Sequence, residues 1–150
     1  MNYILSYDLA SKDKLQFSDS DKITIITFNG DVDKVYSTKM GNQTDEIIED
    51  IDKLYAMGTT NIYSPSIRAL KILDSESDSN YTKTIILMTD GDSNKGSYSS
   101  LRDYYKEIKS KVPIYGITFG ESNEKQLQQI ADLTNGKVFD GKKGLKQAFK

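Results

Sequence analysis

Short continuous apolar runs alternate with segments of helical periodicity along almost the whole chain, and that alternation constrains the fold before any motif is read. ITIITF (23–28), TIILMT (84–89) and PIYGITF (113–119) are rich in β-branched residues and read as buried strands, with Pro113 at a strand start, where a missing N–H is tolerated. Between them, Ile47, Ile48, Ile51, Leu54 and Tyr55 form one apolar stripe and predict a helix over 44–57. Thr44 is placed to cap it, and Asp45 and Glu46 suit the positive end of its dipole. A second helix is predicted over 64–73, capped by Ser64, opened by Pro65 and facing inward through Ile67, Leu70 and Leu73. Leu101, Tyr104, Tyr105 and Ile108 mark a third, and Leu127, Ile130 and Ala131 a fourth that stops at Asn135-Gly136. KVYSTK (34–39) follows ITIITF across an NGD turn and predicts a hairpin; KVF (137–139) reads as a short last strand. At the two ends, Met1–Leu9 reads as the last turns of a helix, and Leu145, Ala148 and Phe149 begin another.

Apolar strands alternating with helices predict an α/β fold: a Rossmann-like, doubly wound, mostly parallel sheet with one antiparallel edge strand and helices on both faces. The 150 residues read as one domain. In such sheets ligands bind outside the carboxyl ends of the strands.

Two absences narrow the chemistry. The chain has no Cys, so disulfides, thiol nucleophiles and Cys-ligated metals are excluded. It has no His, so a Ser–His–Asp triad and imidazole-held transition metals are excluded as well. Any cation must be held by oxygen atoms, which favours Mg²⁺, Mn²⁺ or Ca²⁺. With 20 Lys+Arg against 22 Asp+Glu there is no basic footprint for nucleic acid. No apolar run approaches the length of a membrane span. The opening MNYILSYDLA lacks the basic region of a signal peptide, and the compartment stays open.

Two segments carry the candidate chemistry, GTTNIY (58–63) and MTDGDSN (88–94). Asp90 directly follows an apolar strand and precedes Gly91, which is expected to let the backbone turn away sharply. Thr60 lies in a small polar cluster between two helical segments, where its hydroxyl could reach the same sheet edge. A carboxylate and a hydroxyl converging there suit a hard divalent cation that keeps several waters. Plainer readings stand beside this one: Asp90-Gly91 as ordinary turn chemistry, Thr60 as a cap for the helix that follows, and Asn61 and Asn94 as loop hydrogen bonders rather than partner contacts.

GTTNIYSPSIRAL with ILMTDGDSN, in this order and about 30 residues apart, resembles the von Willebrand factor type A domain. The resemblance covers nearly the whole chain and implies a six-stranded doubly wound sheet. It also implies a metal-ion-dependent adhesion site in which Thr60 and Asp90 match the family's threonine and aspartate ligands. Asn61, Asp92, Ser93 and Asn94 would line the rim that meets a partner protein. The family's D-x-S-x-S metal motif has no match here; Asp8-Leu9-Ala10-Ser11 has the wrong spacing. The resemblance therefore implies that the first strand and its motif are missing upstream, and that the domain is truncated at its N-terminus. In the family that strand lies between those matching ITIITF and TIILMT. Its loss either joins these two or leaves two open edges that invite self-association.

The expected function is a non-enzymatic protein-binding module with an incomplete site, in which weakly held Mg²⁺ or Mn²⁺ bridges to an acidic side chain of a partner. Asp90-Gly91-Asp92 also matches the D-x-D of a Mg²⁺-dependent phosphatase, and Glu121 in FGESN is the one acidic residue at the later strand end. A structural fragment without a working site is the third reading.

Overall fold

The structure, a computed structural model, describes residues 17–37, 44–54, 58–119 and 124–142. Nine elements follow in chain order: β1 (Thr24–Phe28), β2 (Val32–Ser37), α1 (Asp45–Ile51), α2 (Tyr63–Ser75), β3 (Ile85–Thr89), α3 (Tyr98–Glu107), β4 (Ile114–Thr118), α4 (Glu124–Thr134) and β5 (Val138–Asp140). The expected helices at the two ends, around Met1–Leu9 and Leu145–Phe149, lie outside the described residues.

The expected hairpin is present: β1 pairs antiparallel with β2, Ile26 opposite Val35, with an irregularity at Thr27/Phe28. β3, β4 and β5 form a parallel sheet in that order, Ile85 opposite Ile114 and Gly116 opposite Val138. Among the described residues β1 and β3 lie in separate sheets and are not joined to each other. The apolar run of β3 is not covered evenly. Ile85, Leu87 and Thr89 are buried, whereas Ile86 is 39% exposed.

One core joins the helices to the parallel sheet. Leu70 of α2, Leu101 and Tyr105 of α3, Leu127 and Ile130 of α4, and Ile85, Leu87 and Ile114 of the strands pack together. In α2, α3 and α4 the periodicity that predicted the helix is the periodicity of burial, and Leu70, Leu101 and Ala131 are each 0% exposed; in α1 only Ile47 is buried, and Leu54, expected in its stripe, lies beyond the helix and is exposed. Tyr105 belongs to the core and Tyr104 packs against it.

Helix ends differ in detail. Thr44 makes no side-chain capping bond to α1, which runs only to Ile51. α2 begins at Tyr63, so Pro65 lies in its third position, and the cap comes from Asn61 rather than Ser64. The stop after α4 is as read: Asn135 has φ of 58° and the Gly136 N–H donates to Ala131 O at 2.8 Å.

Candidate functional site

Three loops meet at the carboxyl ends of β1 and β3: Asn29–Gly30, Thr59–Ile62 and Asp90–Lys95. Main-chain bonds tie them first. Asn61 N donates to Asn29 O at 2.7 Å, and Asn94 N and Lys95 N both donate to Thr60 O, at 2.9 and 3.1 Å. Side chains complete the lock. Asn94 Oδ1 accepts from Thr60 N at 3.0 Å. Ser93 Oγ donates toward Thr60 O and Lys95 O and accepts from Ile62 N at 3.2 Å. Gln126 of α4 grips Ser93 from behind, accepting from its N–H at 2.7 Å and donating to its carbonyl at 3.0 Å.

Asn61 is the centre of this arrangement and is 5% exposed. Its Oδ1 accepts from Tyr63 N and Ser64 N at 3.0 and 3.2 Å, satisfying two of the free N–H groups that open α2. Its Nδ2 donates to Ser64 Oγ at 3.0 Å and to Gly30 O at 3.4 Å. Gly96, at φ of 75°, passes so close that a Cβ there would collide with the Asn61 amide. Gly30 is equally confined, against the Thr59 hydroxyl and Lys95.

The turn after β3 is built differently from the expectation. Gly91 has no positive φ and nothing lies within 4 Å of a Cβ placed on it, so its special freedom is not used. The buried Thr89 makes the turn instead: its hydroxyl donates to Gly91 O at 2.9 Å and accepts from Gly91 N at 3.3 Å. A hydroxyl two residues before a glycine was the signal available in the sequence, as a Ser/Thr turn.

Among the described residues, the Thr60 hydroxyl and the exposed Asp90 carboxylate have no hydrogen-bond or ion-pair partner in the protein, although both stand in this cross-linked cluster. Asp92 is also exposed. The structure therefore brings the loops of Thr60, Asn61, Asp90, Asp92, Ser93 and Asn94 together. Asn61, Ser93 and Asn94 are engaged inward, and Thr60 and Asp90 are left to solvent. Glu121 lies outside the described residues. Among the described residues no three His, Cys, Asp or Glu side chains gather into a metal-binding group.

Burial raises the pKa of Tyr63, beside Asn61 at the start of α2, whereas the charged groups with shifted protonation lie at the opposite edge. The bond from Lys22 Nζ to Glu76 Oε2, at 2.8 Å, raises the Lys22 pKa and, with the Asp78 N–H, lowers that of Glu76. Asp74 is lowered chiefly by the Ser110 N–H, which donates to it at 3.0 Å.

The family model for the von Willebrand factor type A domain matches residues 7–146. Among solved structures, proximal thread matrix protein 1 from the mussel byssus is similar, with a TM-score of 0.62 and 18% identity. The match covers 99% of this chain and 41% of that one, so the chain spans less than half of that protein's length. At this identity the likeness shows the fold alone. No curated protein matches the chain.

Proposed function

The chain belongs to the von Willebrand factor type A family, and we propose that it is a non-enzymatic protein-binding module that meets its partner at the carboxyl edge of β1 and β3. Domains of this family are protein-binding modules. The observation that carries the reading is the division of labour at the edge: Asn61, Ser93 and Asn94 fix three loops to one another, while Thr60 and Asp90 keep an uncommitted hydroxyl and carboxylate. Preorganised loops with free oxygen donors lower the ordering cost of binding.

The donor set fits a hard cation. Both free groups are oxygens, neither needs to break a protein hydrogen bond, and two protein ligands suit an ion that retains most of its waters. Thr60 would contribute its hydroxyl and Asp90 its charge, with Asp92 at the rim. Bound Mg²⁺ or Mn²⁺ would supply a positive bridge to an acidic side chain of the partner. Asn61, Ser93 and Asn94 serve the same contact by holding the Thr60 and Asp90 loops in register. Hydrolysis through Asp90 and Asp92 would need a further acidic group, and Glu121, the residue offered for it, lies outside the described residues.

Paramagnetic Mn²⁺ tests this site directly. On addition of Mn²⁺, the amide signals of Thr60 and of residues 90–92 should broaden first, and Asp90→Asn should abolish the effect. Broadening centred elsewhere, or none at this edge, would remove the cation from the account. Turnover of p-nitrophenyl phosphate with Mg²⁺, lost in Asp90→Asn, would favour a hydrolase.

A further inference from the structure

Asparagine followed by glycine is the pairing most open to spontaneous main-chain chemistry, because glycine has no side chain to shield its peptide nitrogen. The sequence holds two such pairs, Asn29-Gly30 and Asn135-Gly136. Both asparagines are exposed, yet the fold treats the two pairs in opposite ways.

At Asn135 the nucleophile is engaged. The Gly136 N–H donates to Ala131 O at 2.8 Å and closes α4, so attack by this nitrogen would first have to break the helix stop. At Asn29 it is free: among the described residues the Gly30 N–H has no hydrogen-bond partner.

The electrophile is prepared as well. Asn29 Oδ1 accepts from Asp31 N at 3.3 Å, which folds the carboxamide forward across the peptide that joins Asn29 to Gly30. Attack by Gly30 N puts negative charge on that same Oδ1, so the Asp31 N–H points at the oxygen where charge develops. The leaving nitrogen, Asn29 Nδ2, donates to no protein group among the described residues and is open to protonation by water. The turn is held in this arrangement by its main chain, since Asn29 N donates to Asp31 O at 3.0 Å and Asn29 O accepts from Asn61 N at 2.7 Å.

We propose that Asn29 is a site of spontaneous deamidation. Gly30 N bonds to Asn29 Cγ and gives its proton to water, the Cγ–Nδ2 bond breaks, and ammonia leaves. Water then opens the cyclic imide at either carbonyl, giving aspartate or isoaspartate at position 29. Either product adds one negative charge to the loop beside Thr60 and Asn61. In the isoaspartyl form the peptide bond runs through the side chain, and the carbonyl that accepts from Asn61 N becomes a free carboxylate. The edge thereby acquires a carboxylate that the sequence does not encode. No bound cation takes part, so this chemistry stands or falls apart from the cation reading.

The test is peptide mapping by mass spectrometry while the folded chain stands in mildly alkaline buffer, with a urea-unfolded sample in parallel. Trypsin places the two pairs in separate peptides, residues 23–34 and 126–137. In urea both should convert at similar rates, since both are Asn-Gly. In the folded chain Asn29 should convert about tenfold faster than Asn135, the difference that one hydrogen bond and one oxyanion donor supply. Isoaspartate should appear in the 23–34 peptide, because only the imide yields it. Asn29→Gln, whose longer side chain disfavours the ring, should leave that peptide unchanged. Equal conversion of the two pairs in the folded chain, faster conversion at Asn135, or aspartate without isoaspartate would overturn the proposal. So would an Asn29 that stays intact in the folded chain over the time in which it converts in urea.

Discussion

Asn61 is followed by an apolar residue and a tyrosine, and its type marks a loop or a cap; its partners are what make it a keystone. Its amide caps α2 and reaches the β1 loop, and it does so while buried. Asn61→Ala should therefore destabilise the fold by about 2 kcal/mol, the loss of a cap plus a buried hydrogen bond. A urea midpoint shift of that size checks it, and a change within a few tenths of a kcal/mol would contradict it. Gly96→Ala should cost roughly 1–2 kcal/mol from its backbone conformation alone, with the collision against Asn61 added to that. Gly91→Ala should be close to neutral in the same assay, because its backbone is ordinary and the space beside it open. Thr60 and Asp90 were legible because their loops carry two short motifs in a set order. Asn94 was legible as a loop hydrogen bonder, but its partner at Thr60 and the inward role of Ser93 were not, because Thr60 and Gln126 lie about 33 residues away in sequence.

At the scale of elements, periodicity was a sound guide to the helices, since the predicted apolar stripes of α2, α3 and α4 are the ones the core buries. Leu70→Ala, at the centre of α2, should lower stability by about 2–5 kcal/mol. Coverage of the strands was less legible. A run such as TIILMT is apolar on both sides, and whether both sides are covered depends on neighbours that no local pattern encodes. The ends of the elements also carry a pH signature. Asp74 and Glu76 are held below their ordinary pKa by bonds made only in the folded chain. Depressed folded values mean that this stability is present above the unfolded pKa, near 4, and is lost as pH falls through the lower folded values. Lys22 is raised, so its share is present below its ordinary value and lost only as strongly alkaline pH passes the folded value. The melting temperature should thus be insensitive to these groups around neutrality and fall in acid. Glu76→Gln should flatten the acid side, and an unchanged acid profile in that variant would refute the assignment.

For the whole molecule, the α/β class and the family were both readable, the first from alternating runs and the second from GTTNIY and MTDGDSN together. What no motif could give was the choice between joined and separate central strands. Among the described residues β1 and β3 lie in separate sheets, and the edge that carries Thr60 and Asp90 is held by hydrogen bonds between loops. The central claim is that this braced edge is a working contact surface whose free oxygens accept a hard cation. The most direct measurement is a calorimetric titration of the chain with Mg²⁺ and Mn²⁺, alongside Asp90→Ala. The account predicts saturable, weak binding, with a Kd of about a millimolar, lost in Asp90→Ala while its melting temperature stays the same. No saturable heat, or binding that Asp90→Ala leaves unchanged, would contradict it.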